Sequence, residues 1–390
     1  MERATRTAMY RYLIVLTVAS TVGLQAWRTL FNNFAVDVAR LNGQQVGIIQ
    51  SLREVPGFLT LLVVFVIFIV AEHRLSSLSV LLLGLGVAIT GFFPSYLGLT
   101  LTTVLMSFGF HYYETTNQSL TLQYFDRDTA PWVFGKQRSY AAASNVGIGL
   151  AIWGLDHWFG YVGTYLTIGG LIVFVALWGF TQNPTHPDIV IQHKKMIFRR
   201  KYWLFYFLTF MAGARRQIFA TFAVFLLVEK FHYSVGDITL LFVLNNIINY
   251  FVTPRIGTGI IHFGERKVLS LEYSSLIAIF ITYAFTNSRL VVAVLYVFDQ
   301  TLFNFAIAIR TYFQKVGDPK DIAPSMAMGF TINHIAAVVL PALGGAIWLI
   351  DYRWVFLGGA AMSVISLAAV QCIRLQEPVS AATDTAKGKA

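Results

Sequence analysis

Apolar residues run through this chain in stretches of membrane-spanning length, broken by short polar joints. A helix needs about 20 mostly apolar residues to cross a bilayer. Stretches of that kind lie near 12–36, 46–70, 76–93, 97–123, 138–157 and 160–180. A second set lies near 203–228, 236–257, 268–287, 290–313, 325–350 and 353–373. The pattern predicts an all-α membrane protein of twelve transmembrane helices. The one substantial interior connection, 181–202, carries Pro184, Pro187, Lys194, Lys195, Arg199, Arg200 and Lys201, and it splits the spans into two sixes. The expected organisation is a six-helix half over 1–181, a cytoplasmic linker over 182–202, a second half over 203–376, and a disordered cytoplasmic tail over 377–390.

Composition narrows the class further. Of the 390 residues 56% are hydrophobic and 12% charged, about half the charge of a soluble domain, so an apolar solvent must surround the protein. The single cysteine, Cys372, excludes a disulfide framework and a cysteine-based metal cluster. A formal charge of +10 in a soluble protein would suggest a nucleic-acid partner. Here it follows from basic residues gathering on cytoplasmic loops, so no nucleic acid is expected. With both termini inside, the cytoplasmic side holds twenty Lys and Arg and the outer side only Arg40, Lys230, Arg289 and Arg353. That asymmetry fixes the expected orientation in the plasma (inner) membrane. The remaining five basic residues, Arg28, Arg53, Arg215, Arg216 and Arg310, lie inside the spans.

The two sets of spans repeat one another. Arg28–Val36 and Arg216–Val224 both read R-x-x-F-x-x-F-A-V, in the first and seventh spans. Val104–Phe108 and Val294–Phe298 share V-L-x-x-F, and Ile152–Asp156 and Ile347–Asp351 share I-W-x-x-D. Three matches in order at nearly one offset predict two pseudo-symmetric halves, with a substrate site at mid-membrane between them.

The loop after the eighth span, from Gly257 through Gly259 and Gly264 to Glu265, Arg266 and Lys267, resembles the signature of the major facilitator superfamily. It keeps the glycines and the basic end, but Ile261 stands where the family has an aspartate. The first half holds a worn copy, Ala71-Glu72-His73-Arg74. The resemblance implies alternating access, a central cavity lined by the first, fourth, seventh and tenth helices, and gating roles for Arg74, Gly264 and Arg266. It also places Arg28 and Arg216 as a symmetric pair on that cavity, an arrangement similar to the organophosphate:phosphate antiporters. The Gly-Pro pair typical of drug/proton antiporters is missing from the fifth span.

A charge at mid-bilayer costs about 2.5 kcal/mol or more, so each needs a partner or a wet cavity. The planar fork of arginine matches carboxylate and phosphate. Gln25, Arg28 and Asn32 share a helix face, so Arg28, Arg216, Gln25, Asn32, Tyr113 and Asp299 are candidate contacts for a small anionic substrate. The alternative is that the arginines pair with internal acids. Glu114, with His111 one turn before it, and Glu54 are candidates for proton coupling, and Glu114 could equally neutralise an arginine. Arg53 and Glu54, beside Pro56-Gly57, could form an ion-pair hinge at the outer gate. Arg215 faces about 100° away from Arg216 and reads as a packing residue, and Arg310 as one that snorkels to the inner surface. Asn145, Asn333 and His334 read as glue between helices.

The histidines lack metal-ligand spacing, and no Walker loop or enzymatic constellation is present. The reading is therefore a monomeric secondary transporter among membrane lipids, with no cofactor, no metal and no enzymatic activity. It moves a small organic or phosphorylated anion, coupled to protons or another ion. An exporter of amphipathic compounds or of a secreted metabolite is the alternative, and a non-transporting scaffold has no use for paired arginines at mid-membrane.

Overall fold

The computed structural model describes residues 3–41, 43–67, 69–186, 189, 197–233, 235–348 and 350–373. Twelve helical segments cross the molecule among these residues. In the first half, α1 spans Arg3–Asn33 and ends in a π turn, Phe34–Val38. Helix α2 spans Gly43–Phe58, tightens to a 3-10 turn at Leu59–Leu62 after Pro56, and resumes over Val63–Val66. Helix α3 is Glu72–Thr90 and α4 is Tyr96–Tyr124. One helical path, Ala130–Thr181, turns at Gly160 (φ 59°, ψ −173°), which divides it into α5 and α6. Only glycine takes that backbone without strain.

The second half repeats the pattern. Helix α7 runs over Trp203–Ile218, a π turn Phe219–Ala223 and Val224–Glu229. Then come α8, Val235–Phe263, and α9, Glu265–Phe285. Helix α10 runs over Arg289–Leu302, a 3-10 turn Phe303–Ala306 and Ile307–Val316. Helix α11 is Ile322–Trp348 and α12 is Tyr352–Val370. Matching residues start matching helices: the side chain of Ser95 caps α4 and that of Ser288 caps α10.

Among the described residues, seven helices are long and apolar enough to cross a membrane on their own composition: those at Arg6–Phe31, Ile48–Val66, Glu72–Thr90, His157–Thr181, Glu265–Phe285, Arg289–Val316 and Tyr352–Val370. Helix α4 is among the rest because its C-terminal half is a run of buried Thr, Asn, Gln and Ser. Those groups turn inward and bond to one another, as Asn117 and Gln137 do across α4 and α5 at 3.1–3.2 Å.

Packing pairs repeat between the halves. Helix α1 packs on α6 and α7 on α12; α3 packs on α6 and α9 on α12; α2 packs on α4 and α8 on α10. Between the halves, α2 meets α11 and α5 meets α8. Exchanging the halves turns one of these contacts into the other, which is the behaviour of a two-fold axis. Close approach relies on small residues: a Cβ on Gly109 of α4 would lie 2.3 Å from the backbone nitrogen of Leu83 on α3.

Candidate functional site

The two halves enclose a cavity of about 680 Å³, lined from α1, α2, α4, α5, α7, α10 and α11. Its charged lining is Arg28, Arg53, Arg138, Arg216 and Arg310 against Glu54 and Glu114, an excess of three positive charges from five arginines and two glutamates. Arg28 and Arg216 come from the matching places on α1 and α7, and both side chains are exposed to the cavity. No ion pair or hydrogen bond to either is present among the described residues, and the Arg216 guanidinium lies 4.8 Å from the centre of the Phe303 ring. Both arginines are followed within two turns by a π turn, a helix irregularity that is frequent at functional sites.

The other expected residues divide. Gln25 lines the cavity and donates to Thr29 Oγ1 at 3.3 Å. The Asn32 side chain and residues 377–390 lie outside the described residues. Tyr113 does not reach the cavity. It is 0% exposed, with its hydroxyl held by Thr17 Oγ1 at 2.8 Å and donating to the Leu13 carbonyl at 3.2 Å. The reason is angular: His111 and Glu114 occupy the cavity face of α4, and Tyr113 falls on the face packed against α1. Asp299 is also absent from the cavity. It lines a small adjoining void behind α7 with Arg215, Glu272 and Arg216, the last of which borders both spaces. Arg215 is 3% exposed there, 4.4 Å above the Tyr273 ring and bonded to Ser366.

Arg53 pairs with Glu54 at 2.5 Å and lies 5.4 Å from the Trp27 ring, and both members of the pair line the central cavity. His111 turns toward α2 and α11 and not toward Glu114. Its ring sits edge-on to His334, centroids 4.8 Å apart, and ligand atoms of Glu54, His111 and His334 all lie within 4.8 Å of one another. His334, expected as glue, and Arg138, expected on a loop, both line the cavity. Arg310 does so as well, with its guanidinium 5.5 Å from the Phe134 ring of α5 instead of at the inner surface. A polar Asn333-His334 pair inside an apolar run was the available signal for His334. For Arg138 it was the start of an apolar stretch.

The signature-loop residues lie away from the cavity. Gly264 turns the chain between α8 and α9 at φ 78°, and Arg266 donates twice to Gln371 at 3.0–3.1 Å. Arg74 is exposed in the matching first turn of α3. Next to each is a glutamate facing the neighbouring helix. Glu72 accepts from Gln123 of α4 at 2.8 Å, and Glu265, 0% exposed, pairs with Lys315 of α10 at 2.8 Å. Both sit at helix N-termini, where the dipole favours an acid.

Contacts between the halves cluster at one end of the cavity. Thr60 and Thr331 hydroxyls are 3.2 Å apart, Ser139 Oγ donates to the Tyr250 carbonyl at 2.6 Å, and Gln314 Nε2 donates to the carbonyls of Leu122 and Phe125 at 2.7–2.8 Å. Further in, Asn145 Nδ2 donates to Asn246 Oδ1 at 3.0 Å.

No protein-family model and no curated protein sequence matches the chain. Solved structures do. The E. coli fucose:proton symporter has a TM-score of 0.76 at 13% identity, covering 94% of this chain and 98% of that one. A bacterial homologue of the iron transporter ferroportin, in an outward-facing state, also scores 0.76, at 14% identity over 94% and 99%. The human organic anion transporter TETRAN scores 0.70 at 10% identity over 95% and 100%. A neighbouring structure is described as a major facilitator superfamily transporter in the outward conformation. At these identities the likeness establishes the fold.

Proposed function

From its major facilitator fold, we propose that this chain is a secondary transporter that carries a small organic or phosphorylated anion through its central cavity by alternating access. The structural neighbours include a fucose:proton symporter, a homologue of an iron transporter and an organic anion transporter, so the fold does not select the substrate and the site must. The observation that carries the reading is the pair Arg28 and Arg216: symmetry-related, open to the cavity, and in a lining with three excess positive charges. An arginine kept only to lock helices would be buried against a neighbouring helix, as Arg215 is against Ser366 and Tyr273.

Two guanidinium forks, one from each half on a shared cavity, suit an anion that must be released when the halves rock apart. Each half then holds one side of the substrate, and the closure that brings the forks together is driven by the charge between them. The excess of basic loop residues gives the orientation with both termini cytoplasmic. The end at which Thr60 meets Thr331 is then the cytoplasmic one, and the conformation is closed inward and open outward.

The test is a thermal-shift screen of purified protein against inorganic phosphate, sugar phosphates and small carboxylates. A ligand at 100 times its Kd adds about 2.7 kcal/mol of stability. At least one anion should stabilise the wild type. Arg28→Lys and Arg216→Lys should each weaken that anion by roughly ten- to a hundred-fold, since a lost charge-assisted pair costs about 1.5–3 kcal/mol. Stabilisation only by cations or neutral solutes, or wild-type affinity in both lysine variants, overturns the reading.

A further inference from the structure

Near the end of the cavity where Thr60 meets Thr331, and so away from the outer gate expected for Glu54, three elements from both halves deliver one ligand group each: Glu54 from α2, His111 from α4 and His334 from α11. We propose that these residues form a binding site for a divalent transition-metal ion of the Zn²⁺, Co²⁺ or Fe²⁺ class, bridging the two halves. Two imidazoles and a carboxylate with open positions are the donor set of catalytic zinc sites and of facial-triad iron sites.

The geometry is close to what an ion needs. The three ligand atoms lie within 4.8 Å of one another, and His334 Nε2 is 3.7 Å from Glu54 Oε2. Metal bonds of about 2.0–2.2 Å bring ligands on one ion to roughly 3.0–3.5 Å apart, so a contraction of about 1 Å completes the set. The outer groups are also in place. His334 Nδ1 is 2.9 Å from the Phe330 carbonyl, and donating there leaves the Nε2 lone pair facing Glu54, the arrangement metal-ligating histidines take. Glu54 is oriented by Arg53 through its other oxygen. His111 is 5% exposed and its Nδ1 has no hydrogen-bond partner, which is costly in a buried ring unless something occupies it. Gly57 makes the room: a Cβ there would fall 2.5 Å from the His334 ring and 3.1 Å from that of His111.

The excess positive charge of the cavity opposes a bare dication. It also supplies an offset, because the open coordination positions face arginines that favour an anionic co-ligand such as carboxylate or phosphate. The inference does not depend on the anion reading, since the site is defined by its own three donors.

The experiment uses tag-free, chelator-washed full-length protein in detergent, titrated with Co²⁺ and Zn²⁺ and followed by calorimetry and by the visible d–d absorption of Co²⁺. The expected result is one saturable site whose Co²⁺ spectrum has the intensity of a four- or five-coordinate ion and is displaced by Zn²⁺. His111→Gln, His334→Gln and Glu54→Gln should each weaken binding by at least about tenfold, the loss that even an outer partner costs. His157→Gln, at an exposed histidine, should leave it unchanged. No saturable binding by the wild type overturns the proposal without reference to any variant. So does binding that survives all three site variants or disappears with His157.

Discussion

Arg215 and Arg216 are neighbours in sequence with opposite surroundings. Helical geometry turns them about 100° apart, which sends Arg215 into the core beside Tyr273, Glu272 and Ser366 and leaves Arg216 on the cavity. Their lysine variants should therefore separate. Arg215→Lys loses a stacked and bonded guanidinium, and thermal denaturation should show a loss of about 1–3 kcal/mol with anion affinity within twofold of wild type. Arg216→Lys should show the reverse. Glu114, an acid on the cavity wall of α4, carries a second prediction at this scale. In proteoliposomes Glu114→Gln should lower proton-driven accumulation while exchange of labelled for unlabelled substrate continues, because exchange needs no net protonation cycle. Accumulation with unchanged pH dependence would return Glu114 to a structural role. Much of this scale was legible in the sequence: Arg28, Arg216, Gln25, Glu54, His111 and Glu114 all line the cavity. Tyr113 and Asp299 do not, because a rotation of one residue around a helix decides between cavity and core, and a polar residue's spacing does not say which of the two it faces.

Among the helices, the internal repeat proved a guide to more than topology. The repeated motif in α1 and α7 leads both helices into a π turn, at Phe34–Val38 and Phe219–Ala223. Each cavity-lining arginine is thus followed by a π turn, though the second comes three residues earlier in the repeat than the first. Helix contacts, by contrast, depend on where backbones come close. Gly109 faces the backbone of α3, and its absent side chain lets α3 and α4 touch. Gly109→Ala should destabilise the fold by about 1–3 kcal/mol through overpacking. Gly147→Ala, where nothing lies within 4 Å, should be close to neutral or slightly stabilising. Melting temperatures of the two variants decide the matter, and equal shifts would remove the close-packing argument.

At the level of the whole molecule, the halves touch through α2 with α11 and α5 with α8, and transport by rocking requires these contacts to open. Thr60 and Thr331, with hydroxyls 3.2 Å apart, are suited to a reversible lock. In a Cys372→Ser background, Thr60→Cys with Thr331→Cys should form a disulfide on oxidation, since the side-chain atoms already lie near bonding range. Transport should stop in the oxidised protein and return on reduction, while anion binding from the outer face persists. Full transport in the oxidised protein, with the cross-link verified by mass spectrometry, would mean that this contact does not open in the cycle.

By itself the sequence determined the apolar runs, their number, the two-fold repetition and the basic bias of one side, because bilayer thickness and the cost of buried charge act on local composition. It also marked the arginine pair, since a charge that breaks an apolar run is visible without knowing its neighbours. Only the tertiary structure decided which polar groups meet. His111 and His334 are 223 positions apart and come within a ring contact because α4 and α11 belong to different halves that close on each other. Likewise Arg138 and Arg310 become cavity residues through the depth at which α5 and α10 sit. Contacts between halves have no signature in spacing along the chain, because the axis that relates the halves, and not the sequence, sets which side chains face each other.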